Sequence, residues 1–130
     1  MIVVDASAMV EALIGREANL ELLDALTGDV DAPHLLDVEV LSVLRGLLLG
    51  GKLEPAAAED ARRDHFALTI SRHEIAPLTD RIWSLRHRYT SYDACYLALA
   101  EALEAPLYTC DDKLAGSGHQ VEVRVLPRTH

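Results

Sequence analysis

The sequence predicts an α/β fold in which a parallel sheet is covered by helices on both faces. Two observations carry this expectation. The short runs Ile2-Val3-Val4 and Leu107-Tyr108-Thr109 do not alternate apolar with polar residues, so they read as strands buried on both sides. Between such runs the apolar spacing turns helical, and short strands alternating with helices imply parallel crossovers. The chain of 130 residues is the size of one domain, 1–130, with no repeat, linker or low-complexity tract. A chain of this length buries roughly two-thirds of its unfolded surface and needs no staples.

The elements follow in order. After the first strand ends at Asp5, Met9, Val10, Leu13 and Ile14 give a helix that stops at Gly15. A second helix fits Asn19 to Leu26, closed by Gly28. Ala32-Pro33 reads as a very short strand or an entry loop. The run from Leu35 to Leu49 is a helix, apolar nearly all round, that stops at Gly50-Gly51. Pro55 opens the next helix, where its missing N–H costs nothing. Its expected inner face holds Ala61, Phe66 and Leu68, with Arg62, Arg63 and Asp64 outward. His73 to Ala76 is a weak strand. Thr79 or Asp80 caps a helix through Tyr89, and Ser91 caps one through Leu103. After Leu107-Tyr108-Thr109 a short helix breaks at Gly116-Ser117-Gly118, and Val121 to Leu126 is the last strand.

Composition excludes several classes. The longest stretch free of Asp, Glu, Lys and Arg is eight residues, Leu114 to Val121, whereas a membrane helix needs about twenty apolar residues. No basic stretch precedes the first apolar residues, which argues against a secretory signal. The two cysteines, Cys95 and Cys110, therefore read as reduced, buried small hydrophobes of a cytoplasmic protein. The six histidines show no metal-ligand spacing. The net charge is −9: residues 1–60 carry 12 acids and 3 bases, and residues 61–130 carry 9 of each. That balance argues against a nonspecific nucleic-acid coat or a polybasic membrane binder, but not against a nuclease that gathers acids around metal ions.

Four acids stand out. In a parallel α/β sheet ligands bind beyond the carboxyl ends of the strands, and Asp5 and Asp111 close the first strand and the Leu107 strand. Each alone is as well explained as a cap for the next helix. Glu39 and Asp93 sit inside strongly apolar helices, where an ionised carboxylate costs several kcal/mol unless paired or metal-bound. Asp93 also suits a helix first turn, as does Asp37; Glu39 lies beyond the expected cap. Together, four like charges on one side of the sheet raise one another's pKa. A hard divalent ion relieves that crowding and supports phosphodiester hydrolysis by metal-activated water.

These segments resemble the PIN-domain ribonucleases, specifically the VapC toxins of prokaryotic VapBC toxin–antitoxin modules. The resemblance rests on Ile2-Val3-Val4-Asp5-Ala6-Ser7-Ala8, on Leu36-Asp37-Val38-Glu39-Val40 with Leu44-Arg45, on Thr90 to Ala100 around Asp93, and on Leu107-Tyr108-Thr109-Cys110-Asp111. It implies a PIN-like fold with a central five-stranded parallel sheet and a Mg2+- or Mn2+-dependent endoribonuclease. It also implies a homodimer, neutralised by a VapB-type antitoxin in a heterotetramer or larger assembly. Asp5, Glu39, Asp93 and Asp111 would be the catalytic, metal-binding acids, with Ser7 and Thr109 as supporting hydroxyls. The doubled Asp111-Asp112 departs from the pattern. Spacing from Thr109 favours Asp111, and Asp112 otherwise caps the following helix.

Basic residues near the acids are candidates for RNA phosphates: Arg45, Arg86, Arg88 and Lys113, with Arg81 and His87 beside them. The plainer reading of Arg86 and Arg88 is a solvated helix face. Because the excess acid lies in residues 1–60, RNA contacts are expected from the second half. The apolar surplus on the Leu35–Leu49 helix and the first two helices points to protein interfaces. Two other classes stand beside the nuclease. An aspartyl-phosphate phosphotransfer domain would need a further acid after the first strand, where Asp5-Ala6-Ser7 stands. A non-catalytic PIN-fold binding module has no need of all four acids.

Overall fold

The computed structural model describes Met1–His130. Five parallel strands form one sheet: β1 (Ile2–Val4), β2 (Val30–Pro33), β3 (Ser71–His73), β4 (Leu107–Thr109) and β5 (Val123–Val125), in the order β3-β2-β1-β4-β5. The helices are α1 (Ala6–Ile14), α2 (Leu20–Ala25), α3 (Leu35–Leu49), α4 (Pro55–Ala67), α5 (Thr79–Ser84) and α6 (Ser91–Leu103). Two 3₁₀ turns, Ala76–Leu78 and Asp112–Ala115, complete the chain. No helix is long and apolar enough to cross a membrane.

β1 is the central strand. Val3 and Val4 point to opposite faces and neither is exposed, so the sheet is covered on both sides. α6 lies across β1, β2 and β4, while α1, α3 and α4 pack on one another. α6 is buried from Ala94 to Ala100, which explains its apolar character all round. The sheet order reverses between β1 and β4, which pair Val3 with Leu107 and Val4 with Tyr108. Their carboxyl ends therefore open side by side at a topological switch point. The outer strands β3 and β5 each carry an arginine at the middle residue, Arg72 and Arg124.

Several expectations are corrected. Thr90, not Ser91, caps α6, accepting a bond of 3.2 Å from the Asp93 amide. α5 has no side-chain cap and ends at Ser84. The chain from Arg86 to Arg88 continues in tighter i−3 turns. β3 lies earlier than His73–Ala76, because Pro77 in the following 3₁₀ turn cannot supply a ladder N–H. On α4 the inward residues are Ala61 and His65, one helical turn apart, and Phe66 is 48% exposed. His65 is fully buried and bonds Asp37 at 2.8 Å, and Arg72 grips the same carboxylate at 2.7 and 3.0 Å. Cys95 is buried, whereas Cys110 is only half-buried; both are free thiols.

Candidate active site

The carboxyl ends of β1 and β4 are tied together by hydroxyls. Asp5 caps α1 through the Ala8 amide at 3.0 Å and is almost fully buried. Its other donors are Ser7 Oγ at 2.7 Å and Thr109 Oγ1 at 2.5 Å. Ser7 Oγ in turn accepts from the Cys110 amide at 2.8 Å, and Thr109 Oγ1 accepts from the Asp111 amide at 2.9 Å. Asp5 is thus a helix cap and, at the same time, a carboxylate held by three donors at the switch point. Asp111 likewise caps its 3₁₀ turn, through the Lys113 amide.

Asp5, Ser7, Glu39, Asp93 and Asp111 line one cavity of about 190 Å³. Asp112 is exposed and lies outside that lining. Glu39 projects from α3 and accepts a 2.6 Å bond from the hydroxyl of Tyr96 on α6, which also lines the cavity. Burial raises the pKa of Asp5, Glu39 and Asp93 above the usual carboxylate range. Repulsion adds to this, from Asp93 on Asp5, from Asp5 and Asp93 on Glu39, and from Asp111 on Asp93. As the side chains stand, no three His, Cys, Asp or Glu groups converge closely enough to hold one ion. Mg2+ is commonly held by one or two carboxylates plus water and phosphate, so this donor set fits such an ion without a closed protein cage.

The basic candidates divide. Arg88 and Lys113 line a second cleft with Asp93, Tyr89 and Thr90. Lys113 Nζ is 3.6 Å from Asp111, and Arg88 bonds Ser117 at 2.6 Å. Arg86 stacks on Trp83, 4.9 Å from the ring centre, and Arg45 is exposed; neither lines these cavities. Arg81 is engaged by Glu101 at 2.7 and 3.0 Å.

Three residues that line the acid cavity carry no role in the sequence analysis: Tyr96, Arg128 and His130. Tyr96 stands three residues after Asp93 on α6, and its hydroxyl reaches Glu39 on α3, a pairing that only the fold creates. Arg128 and His130, from the segment after β5, also line the acid cavity. Glu11 on α1 holds that segment and is itself fully buried. It accepts from the Thr129 amide at 2.6 Å, the Thr129 hydroxyl, and His130 Nδ1 at 2.7 Å. Burial alone would raise its pKa, but these donors hold it below the usual range. The C-cap of α1 is glycine, Gly15, where a Cβ would collide with the Glu11 carboxylate. Glu11→Ala is expected to destabilise the protein by about 2 kcal/mol, the scale of hydrogen bonds to a charged acceptor. Amide exchange at Thr129 should then become fast; exchange as slow as in the wild type would refute the latch.

Residues 2–117 match the family described as PIN domain. The chain is 39% identical over 129 residues to Ribonuclease VapC9 of Mycobacterium tuberculosis, covering 98% of this chain and 100% of that one. It is 40% identical over 128 residues to Ribonuclease VapC1 of the same organism, covering 95% and 96%. Among solved structures it is similar to VapBC2 from Rickettsia felis bound to a DNA fragment from its promoter. There the TM-score is 0.67 at 15% identity, over 97% of this chain and 99% of that one.

Proposed function

Since this chain belongs to the PIN-domain family and, within it, to the VapC ribonucleases, we propose that it is a divalent-metal-dependent endoribonuclease toxin neutralised by a small antitoxin. The observation that carries the reading is the meeting of Asp5, Glu39, Asp93 and Asp111, from four separate stretches of chain, in one cavity. We assign these four as catalytic residues and as the metal-binding acids for Mg2+, with Mn2+ as a substitute; since no three of them converge, one or two would contact an ion directly and the others through water. A bound ion would lower the pKa of a water and neutralise charge on the phosphate and the leaving oxygen. The chain's own contribution is placement. Ser7 and Thr109 fix both carboxylate oxygens of Asp5, Tyr96 fixes Glu39, and the first turn of α6 presents Asp93. The lining position of Asp111 supports it over Asp112 as the fourth acid.

Arg88 and Lys113, beside Asp93, are the basic side chains best placed for phosphates on that flank. Apolar surface left open on α2 and α3, at Leu20, Val38 and Leu49, supports two occupants, a second copy and the antitoxin. The VapBC assembly named for the Rickettsia protein supports the antitoxin. Free thiols whose pKa burial pushes up to about 11 are poorly reactive, in keeping with a cytoplasmic protein. Mapping RNA ends after induced expression tests the function. The wild type should generate new ends at defined sites and Asp5→Asn, which preserves the cap, should generate none. Identical end maps would reject catalysis and favour a binding module.

A further inference from the structure

A second cleft, about 850 Å³, adjoins the acid cavity and shares Val43, Arg128 and His130 with it. Its floor is apolar, from Ile14, Val43, Leu47 and Leu53, and its polar lining includes Arg16, Lys52, Arg128 and His130. In a chain with 21 acids and 12 bases, no Asp or Glu side chain lines it. Elsewhere cations are mostly spoken for: Arg62, Arg63, Arg72, Arg81, Lys113 and Arg124 each face a carboxylate. Arg16, Lys52 and Arg128 are exposed and form no such pair. The segment carrying Arg128 is fixed rather than loose. Thr129 takes the Glu17 amide on its hydroxyl at 3.1 Å, and Glu11 holds it from beneath.

Unpaired cations beside a carboxylate cavity suit a polyanion that must enter it, because each phosphate neutralised releases counterions. The apolar floor suits bases or sugars lying between those phosphates. We infer that this cleft binds the backbone of single-stranded RNA next to the phosphate that is cut, through Arg16, Lys52 and Arg128. This rests on the nuclease reading above. It draws two of its three cations from the acidic first half of the chain, where the sequence offers Arg45 alone as a candidate contact.

The test uses binding to a labelled single-stranded RNA oligonucleotide of mixed sequence, followed by fluorescence anisotropy across a salt series. All proteins carry Asp93→Asn to block cleavage. Adding Arg16→Gln with Lys52→Gln should flatten the slope of log affinity against log salt by about 1.4, two contacts at roughly 0.7 each. Arg16→Lys alone should keep the slope. Arg62→Gln with Arg63→Gln, which removes two charges from exposed α4 outside the cleft, should also keep it. An unchanged slope in the Arg16/Lys52 pair, no binding by the parent, or tighter binding of poly-glutamate than of RNA would overturn the inference. The last result would reassign the cleft to an acidic polypeptide. The nuclease reading fails separately, if the wild-type chain with Mg2+ leaves RNA intact.

Discussion

Asp93→Asn is expected to lower RNA cleavage by at least about 10²-fold and, at the same time, to raise the melting temperature of the metal-free protein at pH 7. The activity loss follows from removing one ligand charge. Metal stabilisation of transition-state charge is worth several kcal/mol, and each 1.36 kcal/mol is about tenfold in rate. The gain in stability follows from the carboxyl's surroundings. Burial first, then the charge of Asp111, raise the Asp93 pKa, and the opposing help from Lys113 and Thr90 does not cancel them. A carboxyl whose pKa is raised on folding binds its proton more tightly in the native state than in the unfolded chain. Between its ordinary value and neutrality it therefore subtracts stability as pH rises. The neutral amide escapes that cost, so the difference between variant and wild type should shrink as pH falls toward 4. Single-turnover cleavage and calorimetry at pH 7 and pH 4, in chelator, measure both halves. A variant that cleaves like the wild type would remove Asp93 from the chemistry, and one that melts lower at pH 7 would contradict the crowding.

Chelation is expected to abolish cleavage entirely, and Mg2+ or Mn2+ to restore it. The same ions should stabilise the fold, by about 2.7 kcal/mol when the ion is at 100 times its dissociation constant. The pH profile then has a definite shape. Without metal, Asp5, Glu39 and Asp93 all have raised pKa values, so stability should increase as pH is lowered from 7 toward 5. Glu11, Asp37 and Glu101 lie below the usual range, held there by their donors against burial, so what they contribute is lost only at lower pH. The metal-free protein should therefore show a maximum in mildly acidic solution. With Mg2+ that maximum should move toward neutrality, because ionised acids bind the ion and protonated ones do not. Identical melting curves with and without the ions across this range would refute a divalent site in the cavity.

Much of this arrangement was legible in the sequence where local chemistry decides it. α3 ends where Gly50-Gly51 stands, α4 begins at Pro55, and β4 closes before Cys110-Asp111, as read. The four acids were legible because a charge in an apolar helix, or at the end of a buried strand, asks for a partner. Elements set by tertiary context were not. β3 is three polar residues whose only strand partner is β2, so nothing in Ser71-Arg72-His73 announces it. His65 points inward because Asp37 waits there, which helical spacing alone does not reveal. The Glu11 latch joins residues 118 and 119 positions apart, and only the folded chain brings them together.

The guanidinium groups of Arg72 and Arg124 at the sheet's two rims have a further effect. Each rim is only three residues long, with its arginine standing on a sheet face and paired to a carboxylate, so a foreign strand adding there would gain few ladder bonds beside a charged side chain. Self-association through backbone ladders, the route to fibrils, is thereby disfavoured. Clumping of surplus protein, if it occurs, should proceed through helix surfaces and give amorphous material that does not bind thioflavin.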